Sequence, residues 1–240
     1  MANKSNVYKK KIENFWYYYK IHFIVGVFVV ISLGMILKDC AANVSPDVTI
    51  TYIGEHVVRN TVSNKLENYL LEEELIEDAN NDGETALFFQ TLTVSNEIRS
   101  EQDMAMQEKI MLVLAAGDSQ VYLLDRMQFE RFVRQGVFAS LDHLAQEYNL
   151  DLKQNPEVKL AIEDIFIVKE DEEKEGKTQR EEYVYAFPIE NNTLLQELGF
   201  ETQGMYIALG VERQRRRPRE SDYIKYQNGY AVLKEIIKHN

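Results

Sequence analysis

The chain has 240 residues, one Cys, four Pro and a formal net charge of −12. That length suffices for one buried core beside a short terminal segment, and a single Cys excludes an internal disulfide framework. The acidic balance excludes nucleic acid as a partner and repels anionic surfaces.

The first predicted element is a membrane span. Ile21–Leu37 (IHFIVGVFVVISLGMIL) runs seventeen residues without Lys, Arg, Asp or Glu, and as a helix it rises roughly 25 Å, enough for a slightly thin bilayer core. Trp16, Tyr17, Tyr18 and Tyr19 precede it, an aromatic belt of the kind that settles at headgroup level. Lys4, Lys9, Lys10, Lys11 and Lys20 stand against Glu13 on that side, whereas Lys38 and Asp39 cancel on the other. The positive-inside rule then keeps the N-terminus in the cytoplasm and sends the rest outside. Cleavage near Cys40-Ala41-Ala42, or lipidation of Cys40, are the competing readings. The long apolar run and basic flank favour an uncleaved signal anchor, and Lys38-Asp39 before Cys40 argues against a lipoprotein. The expected organisation is a cytoplasmic basic segment (1–20), a single transmembrane helix (21–37), a stalk (38–47) and an extracellular domain (48–240), at the cell membrane. Residues 1–40 carry six Lys against one Glu and one Asp, so the other two hundred carry −16.

Beyond the stalk, Val48–Ile53 (VTITYI) is β-branched and aromatic, a strand ended by Gly54. Thr61–Glu77 places Val62, Leu66, Tyr69, Leu70 and Leu75 near helical spacing. Asp78–Glu84 is a turn and Ala86–Val94 a second strand. Glu101–Ala116 is a helix expected to turn Met104, Ile110, Met111 and Leu114 inward, broken by Gly117-Asp118. Gln120–Leu124 is a third strand, Arg126–Gln135 a helix and Leu141–Tyr148 another. Alternation of strand and helix over this stretch predicts an α/β domain with a mostly parallel sheet. Ile162–Lys169 and Tyr183–Pro188 then read as strands around a charged hairpin tip at Glu170–Glu182. Asn192–Leu198 is a helix, Met205–Val211 a strand and Ser221–Lys238 a final amphipathic helix.

Chemistry-bearing motifs are few. His22, His56, His143 and His239 are scattered, with no metal-ligand spacing, nucleophile elbow or phosphate loop. No enzyme activity and no cofactor are expected. Asp78-Ala-Asn80-Asn-Asp82-Gly83 resembles the first half of a calcium loop, with oxygen ligands at alternate positions before a Gly. Phe89 stands where a bidentate Glu should close it, and the same residues make turns without metal. Asp78, Asn80 and Asp82 are thus candidate metal ligands beside a plain turn reading. Arg213 to Arg219 is the one basic cluster beyond the anchor: a solvated loop, a dock for anionic lipid or wall polymer, or a contact for an acidic partner.

The stretch from Lys109 through Gly117-Asp118, Asp125-Arg126 and Gly136 to Leu141-Asp142 resembles the type 2 extracellular solute-binding proteins of ABC importers. Tyr185-Ala-Phe-Pro188-Ile looks like the segment in which the chain of those proteins re-enters a hinge. The resemblance covers about half of the outer domain and implies a periplasmic-binding-protein-like lobe, one rather than two, since the chain has room for about one. A ligand site would lie at the carboxyl ends of the parallel strands, giving Gly54, Glu55, Asn96, Gly117, Asp118, Asp125 and Arg126 as candidates. Two functions follow. One is a membrane-anchored solute-binding-like protein that holds a small molecule or assists a membrane-embedded permease. The other is a structural or protein-interaction module of the cell envelope without a small-molecule ligand.

Overall fold

The structure, a computed structural model, describes residues 3–42, 45–95, 97, 99–147, 184–212 and 219–240. The predicted strand 162–169, the charged tract 170–182 and the arginines at 213–217 lie outside them. The chain divides into two compact units, Met1–Ser45 and Pro46–Asn240.

The first unit is one helix, α1 (Asn3–Ala42). Within it Trp16–Met35 is long and apolar enough to cross a membrane. Helical backbone continues past both ends of the predicted span, because no Pro or Gly interrupts the flanks.

The second unit is an α/β domain built on a five-stranded mixed sheet. Its elements are β1 (Val48–Gly54), α2 (Asn60–Glu72), β2 (Leu87–Thr93), α3 (Glu101–Ala116), β3 (Val121–Asp125), α4 (Arg126–Val133), α5 (Asp142–Glu147), β4 (Ala186–Pro188), α6 (Thr193–Leu198), β5 (Met205–Leu209) and α7 (Glu220–Lys238). The strand order is β2-β1-β3-β5-β4. β1 pairs in parallel with β2 and β3, while β5 runs antiparallel to both β3 and β4. Among the described residues half of the pairings are therefore antiparallel, so the expected mostly parallel sheet is here a mixed one. β4 still points the same way as β1, β2 and β3, with β5 the strand inserted against them. The β5 reversal was not legible, because nothing local distinguishes a parallel from an antiparallel apolar strand of five residues.

Two apolar layers sandwich the sheet. Val48, Ile50, Tyr52, Val121, Leu123 and Ile207 face α2, α6 and α7, where Leu66, Leu195, Val232 and Ile236 are buried. Ile53, Leu92, Tyr122, Leu124 and Tyr206 face α3 and α4, with Ile110, Leu114, Phe129 and Phe132. Alternation along β1 and β3 sends successive side chains to opposite layers, both buried.

α3 is capped at both ends as its sequence dictates. Ser100 and Asp103 form a capping box, and Gly117 closes the helix at φ 61°, a left-handed conformation that Gly adopts without Cβ strain. Its inward face is Ile110 and Leu114, but Met104 and Met111 are exposed, against expectation. The helix is apolar on every side, so spacing alone does not select a face.

α2 stops at Glu72, short of the predicted Glu77. Glu72, Glu73 and Glu74 meet the negative end of the helix dipole, and Glu74 turns to φ 53°. The loop that follows is pinned by Asp47, which the sequence placed in the stalk. Asp47 is fully buried and accepts from the Ala79 and Ala86 N–H groups at 2.9 and 2.8 Å. Asn228 of α7 completes the pin: its Oδ1 accepts from Glu77 N–H at 2.9 Å and its Nδ2 donates to the Glu77 and Asp47 carbonyls.

Candidate functional site

β1 leads through α2 to β2 on one side, and β2 leads through α3 to β3 on the other side of β1. The winding direction thus reverses between β1 and β3. In open α/β sheets the loops diverge at such a switch point and leave a crevice beyond the carboxyl ends of the strands. A cleft of about 410 Å³ occupies that position, lined by Glu55 and His56 after β1 and by Asp125, Arg126, Met127 and Glu130 at the start of α4. Gln203 and Gly204, entering the antiparallel β5, supply the remaining wall.

Asp125 is the residue that organises this end of the sheet. It is the last residue of β3 and the N-cap of α4, and its Oδ1 accepts from the Gln128 N–H at 2.9 Å. Its Oδ2 is buried, 3.3 Å from where a Cβ on Gly54 would stand. Burial raises the Asp125 carboxyl above its ordinary range. The Gln128 and Glu55 N–H groups and the nearby His56 offset part of that rise, and the Glu55 carboxylate adds to it.

Gly54 and Asp125 stand side by side at the ends of their strands. A Cβ on Gly54 would lie 2.6 Å from the Tyr52 hydroxyl and 3.3 Å from Asp125 Oδ2, so only Gly lets these two polar groups approach the β1 backbone. Tyr52 is buried, its hydroxyl accepts from the His56 N–H at 3.1 Å, and burial pushes its pKa up to about 12. Arg126 bonds Glu130 one helical turn away, Nε to Oε1 at 2.9 Å. The Arg126 N–H donates to the Gly204 carbonyl at 3.1 Å, tying α4 to the β5 entry.

Of the sequence-predicted ligand residues, the structure brings Glu55, Asp125 and Arg126 to this one cleft and sets Gly54 next to Asp125. Gly117 and Asp118 do not join them. They precede β3, and Gln120 beside them bonds the Thr49 backbone at the start of β1, so they lie at the amino end of the sheet. Asn96 is outside the described residues, although the end of β2 reaches the cleft side, with Val94 N–H donating to the Gly54 carbonyl at 2.9 Å. Sequence reasoning missed Glu130, although its i,i+4 spacing from Arg126 was a usable signal. It set His56 aside as isolated. Gln203 and Gly204 carried no local signal, since only the long-range pairing of β5 with β3 brings them here.

Asp78, Asn80 and Asp82 lie in one tight loop whose backbone N–H groups they accept from. Asp78 accepts from the N–H groups of Asn80, Asn81 and Gly83, Asn80 Oδ1 from Asp82 N–H, and Asp82 Oδ1 from Glu84 N–H. The oxygens that would ligate a cation are turned onto the loop's own backbone, a nested set of Asx turns. Among the described residues no group of three or more His, Cys, Asp or Glu is placed to hold a metal ion.

No protein-family model matches this sequence, and a search of curated proteins finds no significant match.

Proposed function

We propose that this protein is a membrane-tethered solute-binding domain, a single lobe resembling those of the type 2 extracellular solute-binding proteins. α1 anchors it with the N-terminus in the cytoplasm, and the α/β domain works outside the membrane beside a membrane-embedded permease. The observation that carries the reading is the cleft at the β1/β3 switch point, where Glu55, His56, Asp125 and Arg126 converge around open space instead of being filled by core side chains. Folded α/β domains place ligands at this position more than at any other.

The test uses the full chain in neutral detergent micelles. Thermal unfolding is followed against a panel of sugars, amino acids and short peptides, because a solute bound only by the folded state raises Tm by mass action. A saturable rise with one chemical class is expected. The orientation has its own test: protease added to intact cells should digest the α/β domain, and a protected C-terminus would contradict the topology.

The second reading, an envelope interaction module, draws on α3. Met104, Met111 and Leu112 are exposed on that helix, Leu112 to 71%, more apolar surface than one helix of a solitary domain needs. If no solute shifts Tm and crosslinking through α3 captures an envelope protein, this reading replaces the first.

A further inference from the structure

We infer that Asp47 and Asn228 form a clamp that takes up tension arriving through the membrane tether before it reaches β1. The inference goes beyond the solute-binding reading and needs only that α1 is held in a membrane, whatever the domain outside it binds.

The chain passes from the end of α1 at Ala42 to the start of β1 at Val48. β1 lies second in the sheet, hydrogen-bonded to β2 on one side and β3 on the other. A strand end is where a sheet frays, because its outermost bonds open one at a time at little cost. A pull on the tether acts on that end first.

Asp47 stands there, and every polar group it has is committed. Its N–H donates to the Ala86 carbonyl at 2.8 Å. Oδ1 and Oδ2 accept from the Ala79 and Ala86 N–H groups at 2.9 and 2.8 Å, and its carbonyl accepts from Asn228 Nδ2 at 3.2 Å. The partners sit on three separate segments: the entry to β2, the loop after α2 and the middle of α7. Asn228 carries the grip further, because its amide also holds the N–H and the carbonyl of Glu77. Both residues are buried, so water does not replace these bonds as they open. Withdrawing Asp47 therefore breaks its bonds as a set, and each buried partner left unpaired adds a desolvation cost.

Two residues on, a second hold meets the same strand. The Thr49 N–H donates to Gln120 Oε1 at 2.8 Å, and the Gln120 N–H donates to the Thr49 carbonyl at 3.0 Å. Gly229 packs against that same Gln120, where a Cβ would stand 2.3 Å from the Gln120 Cβ. The helix that carries Asn228 is thus seated on the residue that grips Thr49, and the two holds share α7 as one backing.

The experiment pulls single full-length chains in neutral detergent micelles with optical tweezers. One handle is attached at Cys40, the sole cysteine, and the other to a tag after Asn240. Wild type is expected to unfold in one cooperative step, with β1 released no earlier than the rest. Asp47→Asn and Asn228→Ala should each raise the unfolding rate at fixed tension about tenfold, the loss of one or two net hydrogen bonds. The control geometry moves the first handle to an exposed position of α3, by Glu108→Cys in a Cys40→Ser background, and loads the domain without passing through Asp47. There the same variants should change the rate far less. Equal changes in the two geometries would make the pair ordinary core residues and overturn the clamp, as would variants that leave the Cys40 rate unchanged. A wild-type chain that releases β1 in a separate early step overturns it as well, and that record decides the question even where a variant fails to fold. None of these outcomes bears on solute binding.

Discussion

Asp78 accepts from the Gly83, Asn81 and Asn80 N–H groups at 2.8, 2.7 and 3.2 Å. These bonds, Gly83 foremost, hold its carboxyl below the ordinary range. A depressed folded-state pKa contributes stability that is present above the unfolded value of about 3.9 and lost as pH falls through the folded one. Asp78→Ala should therefore lower the melting temperature at neutral pH, and the gap to wild type should close below about pH 4. Millimolar calcium should leave the wild-type Tm where it is, since the oxygens already serve the backbone; a calcium-dependent rise that Asp82→Ala abolishes would refute that. Asp125 has the opposite sign. Burial raises its pKa, so its contribution is favourable while protonated and is lost as pH rises from about 3.9 through the raised value. Asp125→Asn should melt above wild type at pH 7, with the difference vanishing below about pH 4. Melting curves across pH 3 to 8 check both aspartates, and a gap of constant size for either would refute its assignment.

Helices and strands were legible where local chemistry is self-sufficient. Ser100, Asp103 and Gly117 write both ends of α3 in the sequence, and β1 announces itself by β-branched residues ended by a Gly. What escaped was long-range. The antiparallel insertion of β5 decides both the mixed sheet and the Gln203–Gly204 wall of the cleft, and no periodicity within Met205–Leu209 encodes a direction. The candidate site shows the same division. Gly54, Glu55, Asp125 and Arg126 were legible as strand ends, whereas Gly117 and Asp118 sit before β3 rather than after it and so belong to the other end of the sheet. The packing of α7 on β3 was likewise invisible, though Gly229 marks it. A Cβ there would lie 2.3 Å from the Gln120 Cβ, closer than two carbons can approach. Gly229→Ala should gain up to about 1 kcal/mol of helix propensity and lose more to overpacking, typically 1–3 kcal/mol, because the neighbouring atom is anchored to the β3 backbone. Net destabilisation in urea unfolding is expected. A variant as stable as wild type would mean that α7 can slide on the sheet.

At the scale of the whole molecule, tether length limits which partners the domain can serve. Ten residues, Lys38 to Asp47, separate the predicted span from the first strand, and fully extended they reach at most roughly 35 Å. With α1 across a bilayer, a tether of that length would hold the domain within about its own diameter of the membrane. Confinement raises the effective concentration of the domain at a membrane-embedded partner without any added contact. Association with a permease should therefore depend on the tether more than on the affinity of the isolated surfaces. Inserting about thirty flexible residues between Ala42 and Pro46 dilutes the domain over a larger volume and should lower the yield of integral membrane proteins crosslinked to it. The expected result is a fall of severalfold for the long-tether chain, with the fold unchanged. Equal yields from both tethers, or recovery of soluble proteins alone, would mean that the anchor only retains the domain at the cell surface, and a free-standing binder would then be the better account.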